Sequence, residues 1–151
     1  MTVPLPRPAT VSDAPAMQAC VAAAYEIYIP RLGKPPGPML DDYVEIVREH
    51  QAFVVELDGA VAAVLVLMAR EEGLLLDNIA VDPVYQGRGL GKLLMAFTEA
   101  EARRQGYGRV VLYTNEVMSE NLELYRRLGY VETGRREERG YRRVYMGKML
   151  I

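Results

Sequence analysis

The stretch that decides the fold runs from Leu74 to Gly106 and reads LLLDNIAV, DPVYQGRGLG and KLLMAFTEAEARRQG in succession. The first piece is an apolar run of strand length, which predicts a buried strand. Towards the last piece apolar residues recur at the spacing of a helix with one buried stripe: Leu90, Leu93, Leu94 and Phe97. Between strand and helix lie three glycines in five residues: Gly87, Gly89 and Gly91. This arrangement predicts an anion site, because glycines let the backbone approach a phosphate and the free N–H groups of the first helical turn hold its charge.

Two familiar phosphate-binding loops do not fit this register. A dinucleotide fingerprint needs G-x-G-x-x-G, but the sixth position counted from Gly87 is Lys92. A P-loop needs G-x-x-x-x-G-K followed by Ser or Thr, and here Gln86 and Leu93 occupy its first and last positions. A glycine-rich turn without any ligand is the remaining alternative.

The segment QGRGLG, residues 86–91, has the pattern Q-x-x-G-x-G and follows a strand that ends in AVDP, residues 80–83. It resembles the acetyl-CoA signature of the GCN5-related N-acetyltransferases, the GNAT superfamily. The resemblance implies that acetyl-CoA is the cofactor and that this loop binds its pyrophosphate. The implied cofactor contacts are Ile79, Ala80, Val81, Gln86, Gly87, Arg88, Gly89, Leu90, Gly91, Lys92 and Asn121.

The rest of the chain predicts the element order β-α-α-β-β-β-α-β-α-β-β, a mixed α/β fold of one domain over residues 1–151. Strands are predicted at 2–9 (an edge strand at most, because of its prolines), 52–57, 60–70, 74–81, 109–114, 130–135 and 142–150. Helices are predicted from the Thr10–Asp13 start signal to about Ile27, then at 40–50, 90–106 and 118–128, with a proline-rich loop at 30–38. The order is similar to that of the GNAT fold over essentially the full length.

A second motif, NLELYRRLGY at 121–130, resembles the family's L-Y-x-x-x-G-[FY] segment. The resemblance implies that Tyr125 lies beside the CoA sulfur and protonates the leaving thiolate, since a phenol with a pKa of about 10 can donate at neutral pH. The alternative is a Tyr125 that only packs against the sheet. Many family members carry Asn and Ala where this chain has Met118 and Asn121. Asn121 is therefore either a contact to the pantetheine arm or to Tyr125, or a capping or surface residue.

The reaction implied is direct attack by a primary amine, of a small molecule or a protein, on the thioester of acetyl-CoA. The resemblance places the oxyanion donors on N–H groups around Ile79 to Val81, where that strand separates from its neighbour. Four carboxylates lie near element ends and are candidate bases, although solvated surface positions are the simpler interpretation: Glu26, Asp42, Asp77 and Glu116. His50, the single histidine, is interpreted as a helix C-terminal or solvent-facing group, and a water chain can also serve as base.

The acceptor pocket is expected between the first helix pair and the ends of the fifth and last strands. Its candidate residues, some of them aromatic and able to face a cationic amine, are Tyr25, Tyr28, Arg31, Met39, Thr114, Asn115, Glu116 and Tyr145. A non-catalytic GNAT-like module that holds CoA as an effector is the alternative function. The glycine loop does not distinguish these two functions, because both need it. The presence of Tyr125 favours the enzyme over the non-catalytic module.

Composition narrows the class of protein further. The formal net charge is −2, which argues against nucleic acid as the main partner. The single cysteine, Cys20, allows no intrachain disulfide and favours a reducing compartment. No apolar run reaches about 18 residues and no signal segment precedes the fold, so a cytoplasmic protein without membrane contact is expected. No metal site is expected without a His/Cys cluster, and a homodimer is left open.

Overall fold

A seven-stranded mixed sheet forms the middle layer of the protein, in the order β1-β2-β3-β4-β5-β7-β6. The structure is a computed structural model, and it describes residues 4–150. All neighbouring strands are antiparallel except β4 and β5, which run parallel. The strands are β1 Arg7–Pro8, β2 Gln51–Leu57, β3 Ala60–Ala69, β4 Leu74–Val81, β5 Arg109–Asn115, β6 Val131–Glu138 and β7 Tyr141–Met149.

Helices cover both faces of this sheet. They are α1 Ala14–Tyr25, α2 Ile29–Leu32, α3 Tyr43–Glu49, α4 Leu90–Arg104 and α5 Ser119–Arg127. Short 3₁₀ turns lie at Val11–Asp13, Glu26–Tyr28, Gly37–Leu40 and Pro83–Tyr85. The mixed α/β prediction is confirmed, and the four longer helices and all seven strands follow the predicted order.

The N-terminal third differs from the prediction in two places. The first strand contains only Arg7–Pro8, and the predicted strand residues 2 and 3 lie outside the described part of the chain. The segment from Pro30 was predicted as loop, but it opens with the one-turn helix α2. Proline is tolerated there because the first helical turn needs no N–H donor, and Gly33 ends the turn with φ 74°.

The C-terminal hairpin also differs from its predicted bounds. β6 extends to Glu138, three residues further than predicted. Arg139 and Gly140 alone connect it to β7, with φ 51° and 81°, the backbone of a two-residue type I′ turn. Asp58 and Gly59 make the same kind of turn between β2 and β3, as their sequence predicts.

The core consists of two buried clusters, one on each face of the sheet. α4 and α5 cover the first, which includes Leu65, Leu94 and Leu112. α1 and α3 cover the second, which includes Met17, Cys20 and Val64. Cys20 is 2% exposed, and burial raises the pKa of its thiol to about 12.

Candidate active site

The glycine loop leads directly into α4. Gly87 and Gly89 have φ of 81° and 79°, a conformation that is open to glycine at no cost. Gly89 is the residue before the first helical turn, and Leu90 anchors that turn in the core at 3% exposure. Arg88 and Lys92 flank the helix start and are exposed. The fifteen-residue helix therefore presents its free N–H groups, between two cations, at the carboxyl end of β4.

β4 and β5 pair only at their beginnings. The parallel ladder joins Leu74 to Val110 and ends with Leu76 opposite Leu112. Both strands continue, β4 to Val81 and β5 to Asn115. The two strands thus separate after Leu76, and the edge of β4 that faces β5 is left open. The separation expected around Ile79 to Val81 is present.

A β-bulge marks the point of separation. Leu76 faces Leu67 of β3 and Asn78 faces Val66, so Asp77 is the extra residue. The bulge reverses the side-chain alternation of β4. Asn78 and Ala80 consequently point towards α1 and α3, whereas Asp77 is half-buried at the opening between β4 and β5.

The backbone groups at the open edge can be assigned from one hydrogen bond. The N–H of Asp82 donates to Ala62 O at 2.9 Å, across the β3 side. N–H groups alternate between the two edges of a strand, so those of Ile79 and Val81 point into the opening towards β5. These are free donors of the kind that bind a carbonyl oxygen as it gains charge.

Tyr125 lies on α5, in the same buried cluster against which Ile79 and Val81 of β4 pack. Its side chain is 4% exposed and its ring packs 6.1 Å from that of Tyr130. The Tyr125 hydroxyl forms no hydrogen bond with any of residues 4–150. Every fully buried side-chain oxygen in that range does have a hydrogen-bond partner. The Tyr125 hydroxyl is therefore not fully buried, and solvent can reach it. Burial, and in second place the neighbouring Tyr28, raises the pKa of Tyr125 above its ordinary value. Tyr125 is therefore a protonated donor at neutral pH.

A hydrogen-bond chain holds the same edge of β4 from the α1 side. The Tyr25 hydroxyl lies 2.9 Å from Asn78 Oδ1 and 3.0 Å from Ile79 O. Asn78 Nδ2 donates to the Tyr43 hydroxyl at 3.1 Å, and that hydroxyl donates to Pro38 O at 2.6 Å. The chain fixes the backbone of Ile79, and it connects the proline-rich loop to the opening.

A cleft of about 1050 Å³ opens on the α1 and α3 face and reaches this point. Of the predicted acceptor residues, Tyr25, Thr114 and Asn115 line it. Tyr28, Arg31, Met39, Glu116 and Tyr145 do not. Residues that the sequence did not single out, or singled out only as candidate bases, complete the lining, among them Lys34, Asp41, Asp77, Tyr113, Arg139, Tyr141 and Arg143.

The predicted acceptor residues outside this lining have structural contacts of their own. Arg31 binds Glu120 at 2.9 Å and lies over the ring of Tyr28, which fixes α2 against α5. Glu116 pairs with Arg142 at 3.3 Å. The Tyr145 hydroxyl donates to Glu138. Their part in acceptor binding stays a prediction.

The Asn121 side chain forms no hydrogen bond with Tyr125 or with a free helix end among the described residues. Its side-chain Nδ2 lies 3.8 Å from the sulfur of Met118, and the side chain is partly buried. Met118, not Asn121, is the residue before the first turn of α5. The capping interpretation is therefore wrong, and a contact from Asn121 to CoA stays a prediction.

Two carboxyl groups in the cleft have raised pKa values. Burial raises the pKa of Asp77, against a hydrogen bond from the Tyr113 hydroxyl at 3.0 Å. Burial, together with the charge of Asp77, raises the pKa of Asp41 to about 6. Asp77 is thus not the solvated surface charge that the sequence suggested. His50 follows the last turn of α3 and lines the same cleft.

In the sequence, the polar pair Asp77-Asn78 was the feature that could have indicated this site. It interrupts an otherwise apolar run of eight residues, and polar residues inside a buried strand need a reason. Tyr43, Tyr113 and Asp41 carried no comparable signal, because their roles depend on contacts between distant segments.

Neither a metal site nor a membrane span is indicated for residues 4–150. No group of three or more His, Cys, Asp or Glu side chains there could hold a metal ion. No helix in that range is long and apolar enough to cross a membrane.

The sequence matches the model of the family described as acetyltransferase (GNAT) domain over residues 48–132, more than half of the chain. The chain belongs to the GNAT acetyltransferase family. That range contains both motifs of the site, the glycine loop and the segment around Tyr125. An acetyl-CoA-dependent N-acetyltransferase, predicted from these motifs, is confirmed at the level of the family.

Individual GNAT relatives resemble this chain at moderate identity. An uncharacterized N-acetyltransferase, YjgM of Escherichia coli K12, is 28% identical over 136 residues, 84% of this chain and 81% of its own. Human N-acetyltransferase 8B is 38% identical over 65 residues, 43% of this chain. That match spans 29% of the human protein, so less than a third of its length is shared.

Solved GNAT structures reproduce the fold over almost the whole chain. The ribosomal-protein-S18-alanine N-acetyltransferase of Escherichia coli superposes with a TM-score of 0.79 at 21% identity, covering 98% of this chain and 94% of that one. YncA of Salmonella typhimurium, solved with its cofactor acetyl-CoA, superposes with a TM-score of 0.71 at 18% identity, covering 99% and 95%. At these identities the likeness shows the fold.

Proposed function

We propose that this protein transfers the acetyl group of acetyl-CoA to a primary amine by direct attack, with Tyr125 as general acid. The observation that carries the proposal is the separation of β4 from β5 after Leu76. This separation leaves backbone N–H donors free. At the same place it leaves an opening through the sheet, so that a cofactor on one face and an acceptor on the other can meet. The cofactor loop lies at the end of β4, and the cleft reaches the opening from the α1 and α3 face.

The free N–H groups at the start of α4 are the proposed site of the CoA pyrophosphate. Gly87, Gly89 and Gly91 have no atoms within 4 Å of the position a side chain would occupy, so nothing within the described chain obstructs an approaching phosphate. Arg88 and Lys92 add positive charge beside the helix start. The pantetheine arm then runs along the open edge of β4, where Ile79 and Val81 supply donors.

Apart from the proton transfers, the reaction forms the C–N bond and breaks the C–S bond. The lone pair of the amine attacks the thioester carbonyl carbon, and the carbonyl oxygen gains charge next to the N–H groups of the open edge. The C–S bond then breaks and its electron pair goes to sulfur. The Tyr125 hydroxyl gives its proton to that sulfur. The products are the acetylated amine and CoA thiol, and the phenolate of Tyr125 is reprotonated from solvent.

We assign Asp77 as the base that takes the proton of the attacking amine. Three features support this assignment: it is the bulge residue at the opening, it lines the cleft, and its pKa is raised towards the working range of a base. Tyr113 orients its carboxylate through the 3.0 Å hydrogen bond. Of the other candidate bases, Asp42 lines the cleft but is exposed and accepts hydrogen bonds at the start of α3.

Two measurements together test the proposed function. Isothermal titration measures acetyl-CoA binding, and release of CoA thiol over a panel of amines measures turnover. We expect a Kd for acetyl-CoA well below about 1 mM, which corresponds to a binding free energy of about −4 kcal/mol, and thiol release that depends on the amine. Binding without turnover on any amine would instead favour the non-catalytic CoA-binding module. Absence of binding would remove both functions.

A further inference from the structure

The acceptor cleft contains charged side chains of both signs that have no ion-pair partner. Asp41 and Asp77 form no ion pair with any residue in the range 4–150, although they lie in the same cleft as four cationic side chains. Of those cations, Lys34, Arg70 and Arg139 likewise pair with no acid in that range. Arg143 is the exception, and it pairs with Glu138 at 3.6 Å.

Two of the three free cations, Lys34 and Arg139, come from a different part of the cleft than the free aspartates. Asp77 is on β4 at the opening where the chemistry is proposed, and Asp41 precedes α3. Lys34 and Arg139 lie instead against the turn of the β6–β7 hairpin. Arg139 is exposed, whereas Lys34, Asp41 and Asp77 are half-buried. The free aspartates therefore lie at the inner end of the cleft, and the free cations Lys34 and Arg139 lie at the hairpin. Glu138 also lines the hairpin end, but it is paired with Arg143. Arg70, the third free cation, follows β3, and its charge lowers the pKa of Asp77.

Lys34 is held in place without being neutralised. Its Nζ donates to Arg139 O at 3.3 Å and lies 4.0 Å from the centre of the Tyr141 ring. The Tyr141 hydroxyl donates to Pro35 O at 2.6 Å and fixes that ring against the proline-rich loop. A lysine ammonium has three donors, so two remain for a ligand. A positioned cation without an acidic partner is a natural contact for an anionic group.

These charges distinguish between classes of amine. A simple alkylamine would leave the hairpin cations unused. A diamine would satisfy both aspartates, but it would bring its second charge into a cleft that already contains Lys34 and Arg139, and like charges repel. A molecule with an amine at one end and an anionic group at the other satisfies both sets.

Resting on the acetyl transfer proposed above, we infer that the acceptor is such an amino acid-like molecule. Its amine lies between Asp77 and Asp41, and its carboxylate binds Lys34 and Arg139 at the β6–β7 turn. The same chemistry occurs in a free amino acid and in a protein N-terminus followed by an acidic residue, and the test separates these sources.

Three acceptors with a chain of four carbon atoms provide the test: 4-aminobutyrate, n-butylamine and 1,4-diaminobutane. We expect a kcat/KM for 4-aminobutyrate about ten- to a hundredfold above that of the alkylamine, the range of one charge-assisted contact, with the difference mainly in KM. Shorter and longer ω-amino acids locate the optimal spacing. A short peptide with an acidic second residue, compared with the best free amino acid, assigns the source.

Substitutions at the hairpin show whether these cations cause the preference. Lys34→Gln keeps a donor for Arg139 O, and Arg139→Asn suits a residue with φ 51° because Asn tolerates that conformation. Each should reduce kcat/KM for 4-aminobutyrate about fivefold or more and leave n-butylamine unchanged. Arg48→Gln is the matched control, because Arg48 is exposed on α3 and does not line the cleft.

The outcomes separate this inference from the proposed function. Three outcomes would overturn the inference and leave the proposed function intact. The protein could acetylate amines without preferring 4-aminobutyrate, it could prefer the diamine, or the variants could lose equal activity on 4-aminobutyrate and n-butylamine. Absence of turnover on every amine would sink the proposed function. In that case the inference is tested by titration of 4-aminobutyrate and n-butylamine into the CoA-saturated protein. The inference requires that 4-aminobutyrate binds more tightly than n-butylamine. It also requires that Lys34→Gln binds the two with equal affinity.

Discussion

Tyr125 on α5 and Asp77 on β4 are the two side chains to which the proposed mechanism gives opposite tasks. Burial keeps the Tyr125 phenol protonated, and the same cause moves Asp77 towards the range in which a carboxylate accepts a proton. These different environments are why we propose Tyr125 as the acid and Asp77 as the base of the acyl transfer. The role of each residue can be tested by a substitution at that residue alone.

Tyr125→Phe should reduce kcat by about 10²–10⁴-fold, the usual contribution of acid catalysis, with acetyl-CoA affinity nearly unchanged. The hydroxyl has no partner among residues 4–150, so removing it breaks no hydrogen bond there and the Tm should stay close to that of the wild type. Steady-state kinetics, titration and thermal unfolding of the same variant check the three parts. A kcat above about half of the wild-type value would remove Tyr125 from the mechanism.

Asp77→Asn should abolish most turnover at neutral pH and remove the acidic limb of the kcat/KM profile. A base must be deprotonated, so wild-type activity should fall as the pH drops through the raised pKa of Asp77. Asp42→Asn is the control, since it keeps the hydrogen-bond acceptor at the start of α3 and should retain that limb. If both variants keep the same acidic limb, another group or a water chain is the base.

Asp41→Asn should stabilise the folded protein at pH 7 but not at pH 4. The folded-state pKa of Asp41 is about 6 against an ordinary 3.8, so the folded protein binds more protons between these values and its stability falls as the pH rises through them. The carboxyl is half-exposed, so solvent screening limits the gain to less than about 1 kcal/mol, a Tm rise of up to about 4 °C. Parallel Tm curves of variant and wild type from pH 4 to 7 would contradict this.

At the level of elements, the most local signals were the most reliable. The helix α4 follows from the spacing of Leu90, Leu94 and Phe97, and the Asp58-Gly59 turn follows from its dipeptide. The helix α2 was missed because prolines are read as helix breakers, while in the first turn they are not. The bulge at Asp77 was missed because register depends on the neighbouring strand β3, which the sequence of β4 alone does not contain.

Gly89→Ala should weaken acetyl-CoA binding by about tenfold or more, because a methyl group would lie where the pyrophosphate approaches the backbone. Gly106→Ala is a matched control at the other end of α4. Both glycines have positive φ, 79° and 86°, and open space around the added carbon, so both variants pay a similar backbone cost of about 1 kcal/mol. Titration should separate them, and equal affinities would place the pyrophosphate elsewhere.

At the scale of the whole molecule, the proposed mechanism gives the two faces of the sheet different tasks. The α4 and α5 face carries the glycine loop and Tyr125, and the α1 and α3 face carries the cleft proposed for the acceptor. Element order and the family motifs were sufficient to predict the fold class and the cofactor. The lining of the cleft was not predictable, because it joins segments as distant as Lys34 and Arg139 through contacts that have no local pattern. The single-domain organisation stays a prediction.

Saturation with acetyl-CoA should stabilise the entire fold. At a ligand concentration of about 100 times Kd, binding to the folded state alone adds about 2.7 kcal/mol, which in a chain of this size raises the Tm by roughly 5–10 °C. Thermal unfolding over a series of acetyl-CoA concentrations checks this. A Tm independent of ligand concentration would mean that the loop does not bind the cofactor in the folded protein.

The burial of Cys20 determines how this protein can be observed. It is the only cysteine in the sequence, and its thiol is both shielded and held protonated under ordinary conditions. Only a thiolate attacks a disulfide reagent, so a chromogenic disulfide dye should react with released CoA and leave the native protein colourless. The same dye would colour the protein once α1 leaves the sheet, and it would therefore report unfolding through a side chain that no proposed step uses.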